Sequence, residues 1–258
     1  YVSWRIKAID PSANIVVAPS DHIVTDVFEF QRIIKSTLKF ASETDAIITL
    51  GMKPHYPETG YGYIQADLST SSLRNKEIFR VDKFREKPDL QTAQTYIQQN
   101  NYFWNAGIFI WNVKTIINAF RVYVPAIANI FESMMSIYGT AKEQEVIDAR
   151  YGECENISID YAIMEKAEEI FVCPANFGWS DLGTWSSLLA HTNKDLYGNG
   201  IIGQNIFLYE TNRCIVHATQ SKKVVIQGLN DYIVVEKDGV LLICKLSEEQ
   251  RIKQFSEE

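Results

Sequence analysis

Asn14-Ile15-Val16-Val17-Ala18-Pro19-Ser20-Asp21-His22 is the stretch whose reading decides the fold. Its β-branched front half follows Asp10-Pro11-Ser12 and predicts a short buried strand. Its back half is a loop leaving the C-terminal edge of that strand, where open α/β sheets bind ligands. Working outward, Phe28, Ile33, Ile34, Leu38 and Ala41 recur at helical spacing, so residues 27–41 predict an amphipathic helix. Ala46-Ile47-Ile48-Thr49-Leu50 is the next buried strand, which makes strand, helix and strand a βαβ unit.

The pattern continues downstream. Residues 78–84 alternate as a strand and lead into Arg85-Glu86-Lys87-Pro88, after which Asp89 caps a helix carrying Leu90, Ala93, Tyr96 and Ile97. Tyr102-Phe103-Trp104-Asn105-Ala106-Gly107 enters a strand over residues 108–111. Helices are expected over about 113–123 and 125–138, and another starts at Ser158, its cap, with Asp160 in the first turn. Residues 170–173 form the last strand of an α/β domain spanning 1–192. From 193 to 258 the texture changes to short apolar runs about ten residues apart, with the hairpin signal Asp238-Gly239 and a polar helix from Ser247. This is a small all-β module, and no Gly/Ser linker precedes it.

The 258 residues are 46% hydrophobic and carry a net charge of −7, with no long basic run. That supplies a real core and disfavours nucleic acid or an anionic membrane as partner. No apolar run approaches the ~18 residues of a membrane span, and no signal peptide is visible. Cys154, Cys173, Cys214 and Cys244 lack metal-site spacing and read as reduced thiols of a cytoplasmic protein. The chain begins with Tyr1 in what resembles the middle of an amphipathic helix, so a preceding portion is expected.

Several polar residues stand out. Asp181 sits among aromatics in Phe177-Gly178-Trp179-Ser180-Asp181-Leu182-Gly183-Thr184-Trp185, just before a short helix from Thr184. It is either that helix's N-terminal cap or a ligand for something positive. Asp21, in the first loop, is a second carboxylate of that kind. Pro54 to Tyr63 is a Tyr- and Gly-rich loop suited to a sugar or ring pocket, or equally to an aromatic hairpin. Glu86 and Lys87, adjacent on an extended backbone, should point apart and form no mutual salt bridge, as loop charges or with two separate jobs. Asn105, an amide among three aromatics, needs hydrogen-bond partners, whether in a site or in the core.

Ala18-Pro19-Ser20-Asp21-His22, Pro57-Glu58-Thr59-Gly60-Tyr61-Gly62-Tyr63-Ile64, Phe84-Arg85-Glu86-Lys87-Pro88, Trp104-Asn105-Ala106-Gly107-Ile108-Phe109 and Gly178-Trp179-Ser180-Asp181-Leu182-Gly183-Thr184-Trp185 together resemble the ordered motifs of the mannose-1-phosphate guanylyltransferases. The resemblance implies an open mixed, mainly parallel sheet of glycosyltransferase-A-like nucleotidyltransferase type, with a β-helix-like C-terminal module. It implies an Mg²⁺-dependent enzyme making GDP-mannose from mannose 1-phosphate and GTP with release of pyrophosphate. By the same resemblance Asp21 and Asp181 hold the cation and act in catalysis. Glu58, the Gly60-Tyr61-Gly62 backbone, Glu86 and Asn105 bind the sugar phosphate, Lys87 faces its phosphate, and Asp160 takes a lesser, structural or site, role. The chemistry is compatible, since displacement by an anionic phosphate oxygen needs positioning and charge neutralisation above all.

The family's Gly-rich, nucleotide-gripping loop has no counterpart in these 258 residues. Arg85 and Ser20 also stand where smaller or more apolar residues are expected. A transferase for glucose 1-phosphate and another nucleotide remains open, as does a non-catalytic sugar-nucleotide-binding subunit. An enzyme using GDP-mannose as sugar donor is disfavoured, because the two aspartates are not in one Asp-x-Asp cluster. The apolar strands of the β module could serve a homodimer or dock on the domain before them. The 1–258 chain by itself is expected to show no transferase activity, and measurable GDP-mannose synthesis by it refutes that expectation.

Overall fold

A computed structural model of the chain describes residues 1–72, 75–218 and 223–256. In chain order the elements of the first compact unit are α1 (Val2–Ile9), β1 (Asn14–Val17), β2 (Ile23–Val24), α2 (Val27–Glu43), β3 (Ile47–Met52), β4 (Tyr63–Ser72), β5 (Asn75–Arg85), α3 (Leu90–Ile97), β6 (Tyr102–Asn112), α4 (Val113–Tyr123), α5 (Pro125–Glu132), α6 (Glu143–Arg150), β7 (Ile170–Ala175) and β8 (Trp179–Ser180). The second continues with α7 (Trp185–His191), β9 (Gly200–Gly203), β10 (Ile206–Tyr209), β11 (Ile215–Ala218), β12 (Val224–Gln227), β13 (Tyr232–Lys237), β14 (Val240–Lys245) and α8 (Ile252–Ser256). The first unit comprises Tyr1–Ser20 and Val24–Trp179, the second Asp21–Ile23 and Ser180–Glu258, so β2 and β8, counted above with the first, each have one residue in the second. The boundary expected at 192/193 thus falls inside the second unit, because α7 belongs with the β module. Glu249 accepts from both Ser186 N–H (3.0 Å) and Ser186 Oγ (2.9 Å).

The first unit is built on a six-stranded sheet in the order β1-β6-β3-β7-β5-β4, with β4 also pairing β6. It is mixed. From the pairings, β1, β3, β4 and β7 run one way and β5 and β6 run against them. β1 and β3 do run in the same direction, as the βαβ reading requires, yet they are not neighbours. β6 lies antiparallel between them, and among the described pairings of this sheet only β3 and β7 are adjacent and parallel. All six residues of β3 are buried, as a strand covered on both faces should be.

One face packs Trp4, Ile15, Ile47, Phe109 and Trp111 against Ile116 and Ile117 of α4 and Phe131 of α5. The other packs Ile48, Leu50, Tyr63 and Ile110 against Ile33 and Phe40 of α2. α2 starts where Asp26 accepts from Glu29 N–H, and α3 where Asp89 accepts from Thr92 N–H. The helix expected over 125–138 ends at Glu132, where Ser133 Oγ donates to Ile130 O (2.7 Å) and competes with the helical pattern.

β6 is longer than the sequence suggested. The pairing runs Thr49↔Phe109 and then Gly51↔Asn105, so two steps along β3 match four along β6. The extra residues form a bulge in which Gly107 takes φ 67°, a conformation that favours glycine.

In the second unit β9, β11 and β13 pair in parallel, and so do β10 and β12. Ile215 pairs Ile233 and Ile206 pairs Val224, an offset of 18 residues in each case. The same offset joins Arg213 to Asp231 and Asn212 to Asn230. These are successive coils of a short β-helix, not a meander. β14 closes it antiparallel to β13 through Asp238 and Gly239, whose φ of 53° and 83° suit a tight hairpin. Buried Asn199 links the coils by donating to Asp195 Oδ2 (2.9 Å) and Thr211 O (2.7 Å) and accepting from Cys214 N–H (2.9 Å). Asn199→Ala strands these buried groups and should lower stability by about 2–4 kcal/mol, read as a fall in the urea midpoint of the unit-two transition.

Candidate active site

Three of the residues singled out in the sequence are brought together by strand register. β4 is flanked by β5 and β6, with Tyr63 opposite Arg85 on one side and Trp104 on the other. One step beyond those pairs stand Gly62, Glu86 and Asn105. Asn105 N–H donates to Gly62 O at 2.8 Å. A Cβ on Gly62 would overlap the Glu86 carboxylate and lie 3.4 Å from Asn105 Cβ. Glycine at 62 is therefore what lets a carboxylate and an amide approach each other across the strand end.

Asp160 arrives from a π-helical turn, Asp160–Met164, a local distortion often found at functional sites. Its Oδ1 accepts from Asn105 Nδ2 at 3.1 Å. Asn105 Oδ1 meanwhile accepts from Thr49 Oγ1 (3.0 Å) and Gly107 N–H (3.2 Å). The polar amide among aromatics has found its partners. Ser158, expected as the helix cap, reaches Tyr161 N–H only at 3.5 Å.

Glu86 and Lys87 depart from expectation. Lys87 Nζ lies 3.9 Å from Glu86 Oε1, because Lys87 has a φ of 44° and the backbone is no longer extended beyond β5. The pair is loose, and the Lys87 side chain stays 63% exposed. Burial raises the Glu86 pKa above the ordinary carboxylate value, and Asp160 and Glu165 raise it further while Lys87 offsets them. Burial likewise raises Asp160, against the Asn105 hydrogen bond and Lys87. Glu165, which the sequence did not single out, accepts from Glu86 N–H at 3.4 Å. It lies in the charged run Glu165-Lys166-Ala167-Glu168-Glu169, where nothing marks it from its neighbours.

The remaining loop residues are placed differently. Buried Glu58 accepts from Gly60 N–H at 2.8 Å and ties the turn before β4. The Tyr61 ring is buried, edge-on to Trp104 (5.3 Å) and Trp179 (5.4 Å), so the side chain is part of the core packing.

Asp21 and Asp181 belong to the second unit. Asp21 is 83% exposed, with His22 Nε2 4.0 Å from its Oδ1. Asp181 accepts from Gly183 N–H at 3.0 Å. It is not the cap of α7. Thr184 fills that position in a reciprocal capping box with Ser187, and Asp181 instead ties the turn before it through Gly183 N–H. Among the described residues no three His, Cys, Asp or Glu side chains form a group able to hold a metal. Carboxylates such as these are hard oxygen donors, the type that Mg²⁺ takes together with water and substrate oxygens.

In the first unit two acceptor carboxylates, an amide donor and a cation are held at one sheet end, an arrangement able to bind a polyol and an anion. A family model for nucleotidyl transferases matches residues 2–197, and the chain belongs to the nucleotidyl transferase family. Among individual proteins it is similar to the mannose-1-phosphate guanylyltransferase of Escherichia coli, with 34% identity over 253 residues, 97% of this chain and 54% of that protein. It is 32% identical over 242 residues to the alginate biosynthesis protein AlgA of Pseudomonas fluorescens, 93% of this chain and 49% of that protein. A solved structure described as a mannose-1-phosphate geranyltransferase from Thermus thermophilus matches with a TM-score of 0.80 and 27% identity, over 99% of this chain and 72% of that one. The chain spans about half the length of the curated relatives it matches.

The raised Glu86 pKa has a consequence for stability. Folded Glu86 binds a proton more tightly than unfolded Glu86, so protonation favours the fold. Its contribution declines as pH rises from the ordinary value of 4.5 through the raised folded value. Wild type should therefore lose stability relative to Glu86→Gln across that interval, measured as the difference in urea midpoints from pH 4 to 7. A flat difference refutes the burial of this carboxylate.

Proposed function

We propose that the chain supplies the sugar-phosphate half of a mannose-1-phosphate guanylyltransferase, with mannose 1-phosphate, GTP and GDP-mannose as its ligands. The observation that carries the reading is the meeting of Gly62, Glu86, Asn105 and Asp160 at one sheet end, in a chain 34% identical to a protein of that name. Glu86 accepts hydrogen bonds from neighbouring sugar hydroxyls, and Asn105 donates one to a sugar oxygen. Lys87 neutralises the sugar phosphate. The backbone at Gly60, Tyr61 and Gly62 closes one wall of the pocket.

In the reaction an anionic oxygen of mannose 1-phosphate forms a bond to the α-phosphorus of GTP as the bond from that phosphorus to pyrophosphate breaks. The nucleophile is already ionised, so the residues position reactants and balance charge, and move no proton. Asp21 and Asp181 are the carboxylates that would hold Mg²⁺. When bound, the cation supplies charge neutralisation on the phosphates. Four free cysteines support a reducing, cytoplasmic setting. No helix among the described residues is long and apolar enough to cross a membrane.

Calorimetric titration of the chain with mannose 1-phosphate and with glucose 1-phosphate tests the sugar. Preference for mannose 1-phosphate is expected, weakened about 10-fold or more by Glu86→Ala, which removes a charged hydrogen-bond acceptor. Preference for glucose 1-phosphate, or no binding of either, overturns the reading. With the family's Gly-rich loop fused ahead of Tyr1, GDP-mannose synthesis should be lost on Asp181→Asn.

A further inference from the structure

We infer that Thr49 is a positioning residue of the sugar pocket, its buried hydroxyl holding the Asn105 amide so that Nδ2 stays the ligand-facing atom. The part of this that concerns a sugar rests on the function proposed above. The orientation of the amide does not.

The oxygen and nitrogen of an Asn side chain are assigned by their neighbours, and here the neighbours leave one solution. Gly107 N–H can only donate, so the amide atom 3.2 Å from it is the oxygen. The Asp160 carboxylate accepts, so the atom 3.1 Å from Oδ1 of Asp160 is the nitrogen. A Thr hydroxyl can do either, and at 3.0 Å from Asn105 Oδ1 it must donate. Thr49 is fully buried in β3 between Phe109 of β6 and Val172 of β7, so no bulk water can take its place.

Gly107 N–H alone is a long contact from the same strand as Asn105, at the bulge. Thr49 adds a shorter one from the neighbouring strand, and the two fix the oxygen from different directions. One N–H of Nδ2 then goes to Asp160, and among the described residues Nδ2 makes no other hydrogen bond. In the proposed pocket its second N–H serves a ligand oxygen. The sequence offers Thr49 only as a β-branched residue in an apolar strand. Its role follows from the bulge that swings Asn105 toward β3.

Thr49→Val removes the hydroxyl at nearly constant shape, Thr49→Ser keeps it, and Thr49→Ala serves should valine prevent folding. Two measurements on the 1–258 chain separate the orientation from the sugar. In ligand-free ¹⁵N spectra, one Asn105 Nδ2 proton should be shifted downfield by Asp160. That shift should collapse in the Val or Ala variant and persist in the Ser variant. By calorimetry, mannose 1-phosphate should bind about 3- to 10-fold more weakly to the Val or Ala variant and within about 2-fold of wild type to the Ser variant. Unchanged Asn105 amide signals without the hydroxyl overturn the inference. A wild-type chain that binds no mannose 1-phosphate, while its amide signals respond as stated, overturns the sugar reading and supports the positioning.

Discussion

The structure of the first unit depends on the placement of β6. This strand runs antiparallel between β1 and β3 and also pairs β4, so three strands take their position from it. Its side chains reach both core faces, Phe109 and Trp111 on one and Trp104, Ile108 and Ile110 on the other. A strand so constrained cannot slip register without moving apolar side chains into the wrong layer. The bulge at Gly107 is the one place where it departs from regular pairing, and that departure turns Asn105 toward Thr49 and Asp160.

From there the cluster of polar residues follows as an electrostatic compromise. Glu86 and Asp160 are half-buried carboxylates whose ionisation burial makes costly, with Asp160 adding to the cost at Glu86 and Glu165 adding to it at both. The compensation comes from Lys87, held near by a left-handed backbone turn, and from the Asn105 amide. Burying two acids beside one loosely placed cation makes their ionisation costly, and hydrogen-bond donors offset that cost. The second unit uses polar groups differently. Asn199, Glu249 and the Thr184–Ser187 box satisfy backbone groups within the β-helix and α7, so Asp181 is not needed as a helix cap.

Much of this was legible in the residues. The strand at 14–17, the amphipathic helix after it, the Asp89 cap and the Asp238-Gly239 hairpin are local features, governed by side-chain period and turn chemistry. Gly62, Glu86 and Asn105 stood out as motif residues, two of them just beyond the ends of β4 and β5 and the third a polar amide among the aromatics of β6. The Glu86–Lys87 contact was not, since the sequence suggested an extended backbone and the chain turns there instead. Nor was the role of Glu165, one acid among several in a charged run.

The residues alone specify the alternation of elements, the break in texture toward a β module and the types of polar group available to a site. Those follow from interactions between residues near one another in the chain. It took long-range pairing to put β6 between β1 and β3, to set the 18-residue offset of β11 to β13 and β10 to β12 and to bring Asn105 Nδ2 to Asp160. These depend on pairings between segments remote in sequence, whose free energy is set by burial and by hydrogen-bond partners that no local pattern specifies.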